Sequence, residues 1–203
     1  NMAFMELFPG TMGDYRFSNR GSQRFNGDFL DTLKFQINEC MPELKATDAE
    51  VEWFGNKAPF LKPWYLDSLS KFRYDPKGVA ASLDDEGNLN WRAEGLVREK
   101  MMWEVKMMAT ISEIYFHTID TDWTMEGQAE LASKKAQKLT YNDCIFIDFG
   151  TRRRRNYETQ DIVVREMKEF WPHRYTDGGF VGTSNVHLAM KHDLTPKGTQ
   201  AHE

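Results

Sequence analysis

The stretch Ile145-Phe146-Ile147-Asp148-Phe149-Gly150-Thr151-Arg152-Arg153-Arg154-Arg155 decides the fold. Its first three residues form a short continuous apolar run. Such a run predicts a strand covered on both faces, the kind found in parallel sheets. The polar and basic residues that follow stand at the strand's carboxyl end, where α/β sheets and barrels bind ligands. Gly150 allows the backbone to turn sharply there. The arginines offer planar, permanently charged forks suited to phosphate and carboxylate oxygens. The same run fits a solvated basic turn or a nucleic-acid patch. Its place directly after a strand favours a pocket.

Downstream, a helix is predicted from about Glu158 to Phe170 with Ile162 and Val163 inward. A short strand follows at Phe180-Val181. Gly182-Thr183-Ser184-Asn185 then opens a helix that reaches His192. Backbone amides at that helix start make a small anion site, or Ser184 simply caps the helix. Thr195-Pro196-Lys197-Gly198-Thr199 leads into another strand, and the chain ends in Gln200-Ala201-His202-Glu203. A histidine beside a carboxylate serves as acid, base, metal ligand or phosphoryl acceptor, or sits inertly on the surface. Strand, helix, strand, helix, strand is a run of parallel βαβ units. Its three loops converge on one face and describe a pocket for a highly anionic small molecule.

Upstream the pattern differs. Alternation over Tyr15 to Asn19 predicts a strand. From Asp28 to Met41 a helical stripe carries Phe29, Leu30, Leu33 and Ile37. Thr47-Asp48-Ala49-Glu50 is a capping box. Pro63 opens a short helix with Trp64, Tyr65, Leu66 and Leu69 inward. Val79–Leu83 and Leu89–Ala93 flank the turn Asp84-Asp85-Glu86-Gly87-Asn88 and read as a hairpin. Arg98 to Thr118 is a long Met-rich helix, apolar on more than one face and so deeply buried. A second helix runs from about Met125 to Leu139 with Leu131, Ala132 and Ala136. The expected division is an N-terminal α/β domain over residues 1–140 and a second domain over 141–203.

Composition narrows the classes. Of 203 residues, 40% are hydrophobic and 28% charged, a balance that supports a buried core. The net charge of −5 argues against nucleic acid or an anionic membrane as partner, so anion binding falls to a local basic cluster. Two distant cysteines, Cys40 and Cys144, give no disulfide framework and no zinc spacing, which points to a reducing, cytosolic compartment. No apolar run reaches membrane-spanning length and no signal peptide is evident. His117, His173, His187 and His192 show no ligand spacing. Met101, Met102, Met107 and Met108 are core filler. Both ends look cut, and the expectation is a fragment.

The three loops resemble the signature segments of nicotinate phosphoribosyltransferases. The matching stretches are Phe146 to Arg154, Phe180 to Asn185, and Leu194 to Glu203. Upstream, Tyr15 to Arg20, Pro59-Phe60-Leu61, Tyr65-Leu66, Phe72-Arg73-Tyr74, Trp103-Glu104-Val105 and Ile111-Ser112-Glu113 are also similar. The resemblance implies an α/β fold. An N-terminal α/β domain is followed by the first strands of an incomplete type II phosphoribosyltransferase α/β barrel. It implies formation of nicotinate mononucleotide and diphosphate from nicotinate and phosphoribosyl pyrophosphate in NAD salvage. ATP hydrolysis is coupled and Mg²⁺ assists. By the same resemblance Phe149 stacks on the pyridine ring. Arg152, with Arg153 and Arg154, neutralises phosphate or the nicotinate carboxylate. Gly182, Thr183 and Ser184 line the base site, and Thr199 touches nicotinate. His202 matches the histidine that ATP phosphorylates, with Glu203 orienting it; metal ligands are unassigned. Nicotinamide-using relatives carry an acidic residue where Ser184 stands, so a neutral serine favours nicotinate. The family also implies a homodimer for the full-length protein.

Two family segments are missing from the sequence. One precedes Asn1 and carries an aromatic that reaches the neighbouring subunit. The other follows Glu203 and holds ribose and metal. The chain alone is therefore expected to be nearly inactive and, with an open barrel edge, to aggregate. The rival expectations are a nicotinamide phosphoribosyltransferase-like enzyme, a polyanion-binding module built on Arg152 to Arg155, and an inactive anion-binding fragment.

Overall fold

The structure is a computed structural model that describes residues 1–170 and 178–198. The chain forms two units: Asn1–Ala46 with Leu61–Asp122, and Thr47–Phe60 with Trp123–Glu203.

In the first unit, β1 (Met12–Arg16), β2 (Val79–Leu83) and β3 (Leu89–Leu96) make an antiparallel sheet in the order β1-β3-β2. Along β3 the buried side chains alternate, Leu89, Trp91 and Ala93, so one sheet face enters the core and the other meets water. The hairpin expected at 79–93 is present. Its turn is tied by Asp84, whose Oδ1 accepts from the Glu86 and Asn88 amides. The expected strand at Tyr15–Asn19 sits earlier in the chain. Pairing with β3 runs from Met12 opposite Leu96 to Arg16 opposite Arg92. Asn19 instead turns locally, its side chain accepting from the Gly21 amide and donating to the Gln23 carbonyl.

Helices α1 (Met2–Leu7), α2 (Gly27–Phe35), α4 (Pro63–Lys71) and α5 (Val97–Thr118) complete this unit, α3 (Asp48–Lys57) belonging to the other. Phe29, Leu33, Ile37 and Met41 are all buried at a spacing of four residues. That spacing overshoots an α-helical turn by about 40° per step. A π-helical turn at Gln36–Cys40 directly after α2 widens the coil and returns the stripe to the core. Trp103, Met107 and Ile111 of α5 meet it on the sheet, with the Phe25 and Phe29 rings tilted against each other at 4.5 Å between centres. Met107 fills the core, whereas Met101, Met102 and Met108 are only half-buried. In α4, Tyr65 is inward but Trp64 is exposed, because one turn cannot aim adjacent residues at the same face.

The second unit contains α3 (Asp48–Lys57), α6 (Gln128–Tyr141), β4 (Ile145–Asp148), α7 (Tyr157–Lys168), β5 (Gly179–Thr183) and α8 (Val186–Lys191). Thr47 and Glu50 form the expected capping box on α3. β4 and β5 are parallel, and Pro196 makes a further parallel bridge to Thr183, so the βαβ expectation holds. Phe180, Val164, Leu188, Ala189 and Leu194 form the core, with Phe146, Tyr157, Met167 and Trp53 against it.

Four local expectations change here. β4 is not covered on both faces: Ile145 is 69% exposed, and among the described residues β4 pairs only with β5. In α7 the inward residues are Gln160 and Val164, one i,i+4 stripe, while Ile162 and Val163 are half-buried. Leu131 of α6 is exposed, leaving Ala132, Ala136 and Thr140 as the packed face. Asn185, not Ser184, caps α8, its side chain accepting from the Leu188 amide.

Candidate functional site

The pairing of β4 with β5 contains a shift. Phe146 lies opposite Phe180, yet Asp148 lies opposite Thr183. β5 therefore carries one extra residue over this step, the signature of a bulge. Gly182 sits inside it at φ +140°, a backbone conformation that side chains rarely adopt. A Cβ on Gly182 would strike the Thr195 carbonyl oxygen and approach Lys197 Cγ to 3.0 Å. Glycine is thus required by space as well as by conformation. The bulge brings the Thr183 side chain, fully buried, to the Asp148 carboxylate.

Asp148 is 7% exposed, and its carboxylate is surrounded by donors. Oδ2 accepts from Thr183 Oγ1 at 2.7 Å and from Gln160 Nε2 at 2.8 Å. Oδ1 accepts from the Gly150 amide at 3.0 Å. A buried carboxylate is tolerated only when hydrogen-bonded in this way. Gly150 has an ordinary negative φ; a Cβ there would sit 2.9 Å from Asp148 Oδ1. Its glycine answers the close approach of the carboxylate rather than a left-handed turn.

Gln160, reaching in from α7, extends the network. Its Nε2 also donates to Thr151 Oγ1 at 3.0 Å. Its Oε1 accepts from Arg154 Nη1 at 3.2 Å and from Asn185 Nδ2 at 3.4 Å. Asn185 Nδ2 in turn donates to Thr151 Oγ1 at 3.2 Å. The loop after β4 and the loop after β5 are joined through these side chains.

The arginine run is not one uniform patch. Arg152 lies over the Phe149 ring at 5.9 Å, Arg154 over Tyr157 at 5.6 Å and Arg155 over Trp123 at 5.3 Å, while Arg153 is exposed. Arg154 and Arg155 thus lie against aromatics that flank the loop. Phe149 is 47% exposed and carries the Arg152 guanidinium over its ring. A half-exposed aromatic ring with a cation against it suits a flat anionic ring.

The expected anion site at the start of α8 changes. The Ser184 amide donates to the Asp148 carbonyl at 2.9 Å, the Asn185 amide to Thr183 Oγ1 at 3.0 Å, and the Leu188 amide to the Asn185 side chain at 3.1 Å. These amides hold the loop together instead of facing a ligand. Ser184 itself is half-buried beside Thr183. Phe149, Arg152, Arg153, Arg154, Gly182, Thr183 and Ser184 all lie at or just beyond the carboxyl ends of β4 and β5. Thr199, His202 and Glu203 lie outside the described residues. Asp148, Thr151, Gln160 and Asn185 were not singled out by sequence for the roles they fill. The available signal was Gln160, an amide on the same helical stripe as Val164.

Away from these loops, His192 Nε2 pairs with Asp161 Oδ1 at 2.7 Å, and Lys191 Nζ donates to Asp161 Oδ2 at 2.8 Å. Burial pushes the Asp161 carboxyl up. The hydrogen bonds from Lys191 and His192 outweigh it and hold the group below the usual carboxylate range. His187 Nε2 meets the Tyr157 hydroxyl at 3.0 Å. No described helix is long and apolar enough to cross a membrane.

Comparison with known proteins bears on the whole chain. Residues 1–112 match the family model described as the nicotinate phosphoribosyltransferase N-terminal domain, and residues 144–203 match the nicotinate phosphoribosyltransferase family. The nicotinate phosphoribosyltransferase of Methanosarcina mazei is 38% identical over all of this chain and 52% of its own length. That of Methanosarcina acetivorans is 36% identical over the same shares. The crystal structure of nicotinate phosphoribosyltransferase from Porphyromonas gingivalis superposes with a TM-score of 0.90 at 35% identity, over 100% of this chain and 50% of that one. The chain spans about half the length of the curated relatives it matches. With its antiparallel sheet inside one match and its strand-end loops inside the other, the chain belongs to the nicotinate phosphoribosyltransferase family.

Proposed function

We propose that the full-length protein makes nicotinate mononucleotide and diphosphate from nicotinate and phosphoribosyl pyrophosphate, coupled to ATP hydrolysis, in NAD salvage. The observation that carries this is the Arg152 guanidinium 5.9 Å from the centre of the half-exposed Phe149 ring, at the carboxyl end of a parallel strand. Nicotinate is a flat ring bearing one carboxylate. Phe149 would stack on it, and Arg152 would neutralise its charge. Arg153 and Arg154 would add to the anionic pocket. Ser184 would form the neighbouring wall, with the buried Gly182 and Thr183 behind it, and Thr199 would touch the base. The neutral hydroxyl of Ser184 tolerates a carboxylate better than an acidic residue would.

The pyridine nitrogen already carries the attacking electron pair, so no protein nucleophile is needed at the sugar. Its bond to ribose C1 forms as the C1–O bond to diphosphate breaks, and the bonding pair leaves with diphosphate. Positive charge grows on the ribose and negative charge on the leaving group, where fixed cations stabilise it. His202 would accept the phosphoryl group of ATP, with Glu203 orienting its imidazole. Bound Mg²⁺ would share with the fixed cations the negative charge that develops on diphosphate. A cytoplasmic homodimer is the expected form.

The test is a parallel assay of the full-length protein with phosphoribosyl pyrophosphate, ATP and Mg²⁺, offering nicotinate or nicotinamide, beside a His202→Ala variant. The expected outcome is nicotinate mononucleotide with ADP, weakened in the variant. Preferred turnover of nicotinamide, or no product from either base, overturns the proposal.

A further inference from the structure

We propose that Gln160 is the positioning residue of this site: its buried amide clamps the loop after β4 to the loop after β5 and so sets the distance between the two walls of the pocket. The inference rests on the function proposed above for its ligand, but not for its geometry.

The case begins with satisfaction of one side chain. A glutamine amide has two N–H donors and one oxygen with two lone pairs. Gln160 is 3% exposed, and all four positions are filled. Nε2 donates to Asp148 Oδ2 and Thr151 Oγ1; Oε1 accepts from Arg154 and Asn185. Three of these partners, Asp148, Thr151 and Arg154, bracket the loop that presents Phe149 and Arg152. The fourth, Asn185, ends the loop that presents Thr183 and Ser184 and caps α8.

The carboxylate gives the clamp its direction. Asp148 Oδ2 sits between Gln160 Nε2 and Thr183 Oγ1, so it takes one hydrogen bond from α7 and one from β5. An amide flip would aim Oε1 at this carboxylate and Nε2 at the Arg154 guanidinium, facing like against like twice. Only one orientation is compatible with its neighbours, and that orientation is read out in the placement of both loops. Gln160 bonds Arg154 directly, and through Asp148, Thr151 and Asn185 it acts on the ligand by way of the loops.

Substitution separates this role from a general contribution to folding. Gln160→Leu keeps the bulk and removes all four bonds. Gln160→Glu restores the bond to Asp148 only when the new carboxyl is protonated and donates to it; when ionised it faces that carboxylate across a hydrogen-bond distance, with Arg154 bonded to the same side chain. We expect amide hydrogen exchange at Gly150, Ser184 and Asn185 to quicken together by about tenfold or more in Gln160→Leu, the scale of losing bonds to buried groups. The KM for nicotinate should rise by a similar factor in the full-length enzyme, with a smaller change in kcat. In Gln160→Glu the protection of the same amides, each rate taken relative to intrinsic exchange at that pH, and the KM should return toward wild type as the pH is lowered, a recovery the wild type does not show.

Hydrogen exchange needs no substrate, so absence of activity in the wild type would overturn the functional reading while leaving the clamp to be decided by exchange alone. Exchange that stays at wild-type rates in both loops, or quickens in one loop only, overturns the clamp. If Gln160→Leu fails to fold, the pH series on Gln160→Glu decides: loops that loosen with rising pH support the proposal, and loops indifferent to pH overturn it.

Discussion

Thr183 and Gly182 share a strand end and are constrained for different reasons. Thr183 is held by burial and by two hydrogen bonds, one given to Asp148 and one taken from the Asn185 amide. Thr183→Val keeps the shape and leaves a buried carboxylate short of a donor. We expect it to cost about 1–3 kcal/mol, read from the shift in the urea midpoint. Gly182 is held by conformation and by the Thr195 carbonyl behind it. Gly182→Ala should destabilise by about 1–3 kcal/mol and disturb the Pro196 bridge, visible as faster exchange of the Lys197 amide, which donates to Thr183 O. Both residues were legible as a strand-end motif. That one supports the backbone turn and the other the buried carboxylate was not, because a motif names residues without their partners.

Helix ends and helix contacts are the next scale. The capping box on α3 was readable because it depends on residues three apart, and Thr47→Ala should cost about 1 kcal/mol in thermal or urea melts. The Thr47 amide also holds Glu50 below the usual carboxylate range. The cap on α8 falls one residue later than its sequence suggests, for the opposite reason. Ser184 and Asn185 both suit a cap, and Asn185 takes it while the Ser184 amide bonds the Asp148 carbonyl. Between α7 and α8, Asp161 accepts from Lys191 and His192, with its carboxyl held below the ordinary 3.8. A depressed acid contributes its stability fully above that ordinary value and loses it as the pH falls through the lower folded value. Wild type should therefore exceed Asp161→Asn in urea stability near neutral pH, and the gap should close as the pH drops below about 3.8.

For the whole molecule, charge and pattern point the same way. Net charge is −5, yet four arginines stand together at one strand end, and two of these lie against Tyr157 and Trp123. A local pocket, rather than a polyanion track, fits that distribution. Duplex DNA should show no saturable binding near 150 mM salt in a filter or anisotropy titration, whereas a nucleic-acid module would bind with a steep salt slope. The sequence by itself determined the βαβ succession, the hairpin, the α3 cap and the family, because each rests on neighbours in the chain or on periodicity. Tertiary structure alone decided the bulge at Gly182, the choice of Val164 over Ile162 and Val163, and the convergence of Asp148, Gln160, Thr183 and Asn185. Those outcomes depend on which atoms meet across strands and helices, and a buried polar group settles where its last unfilled hydrogen bond is met.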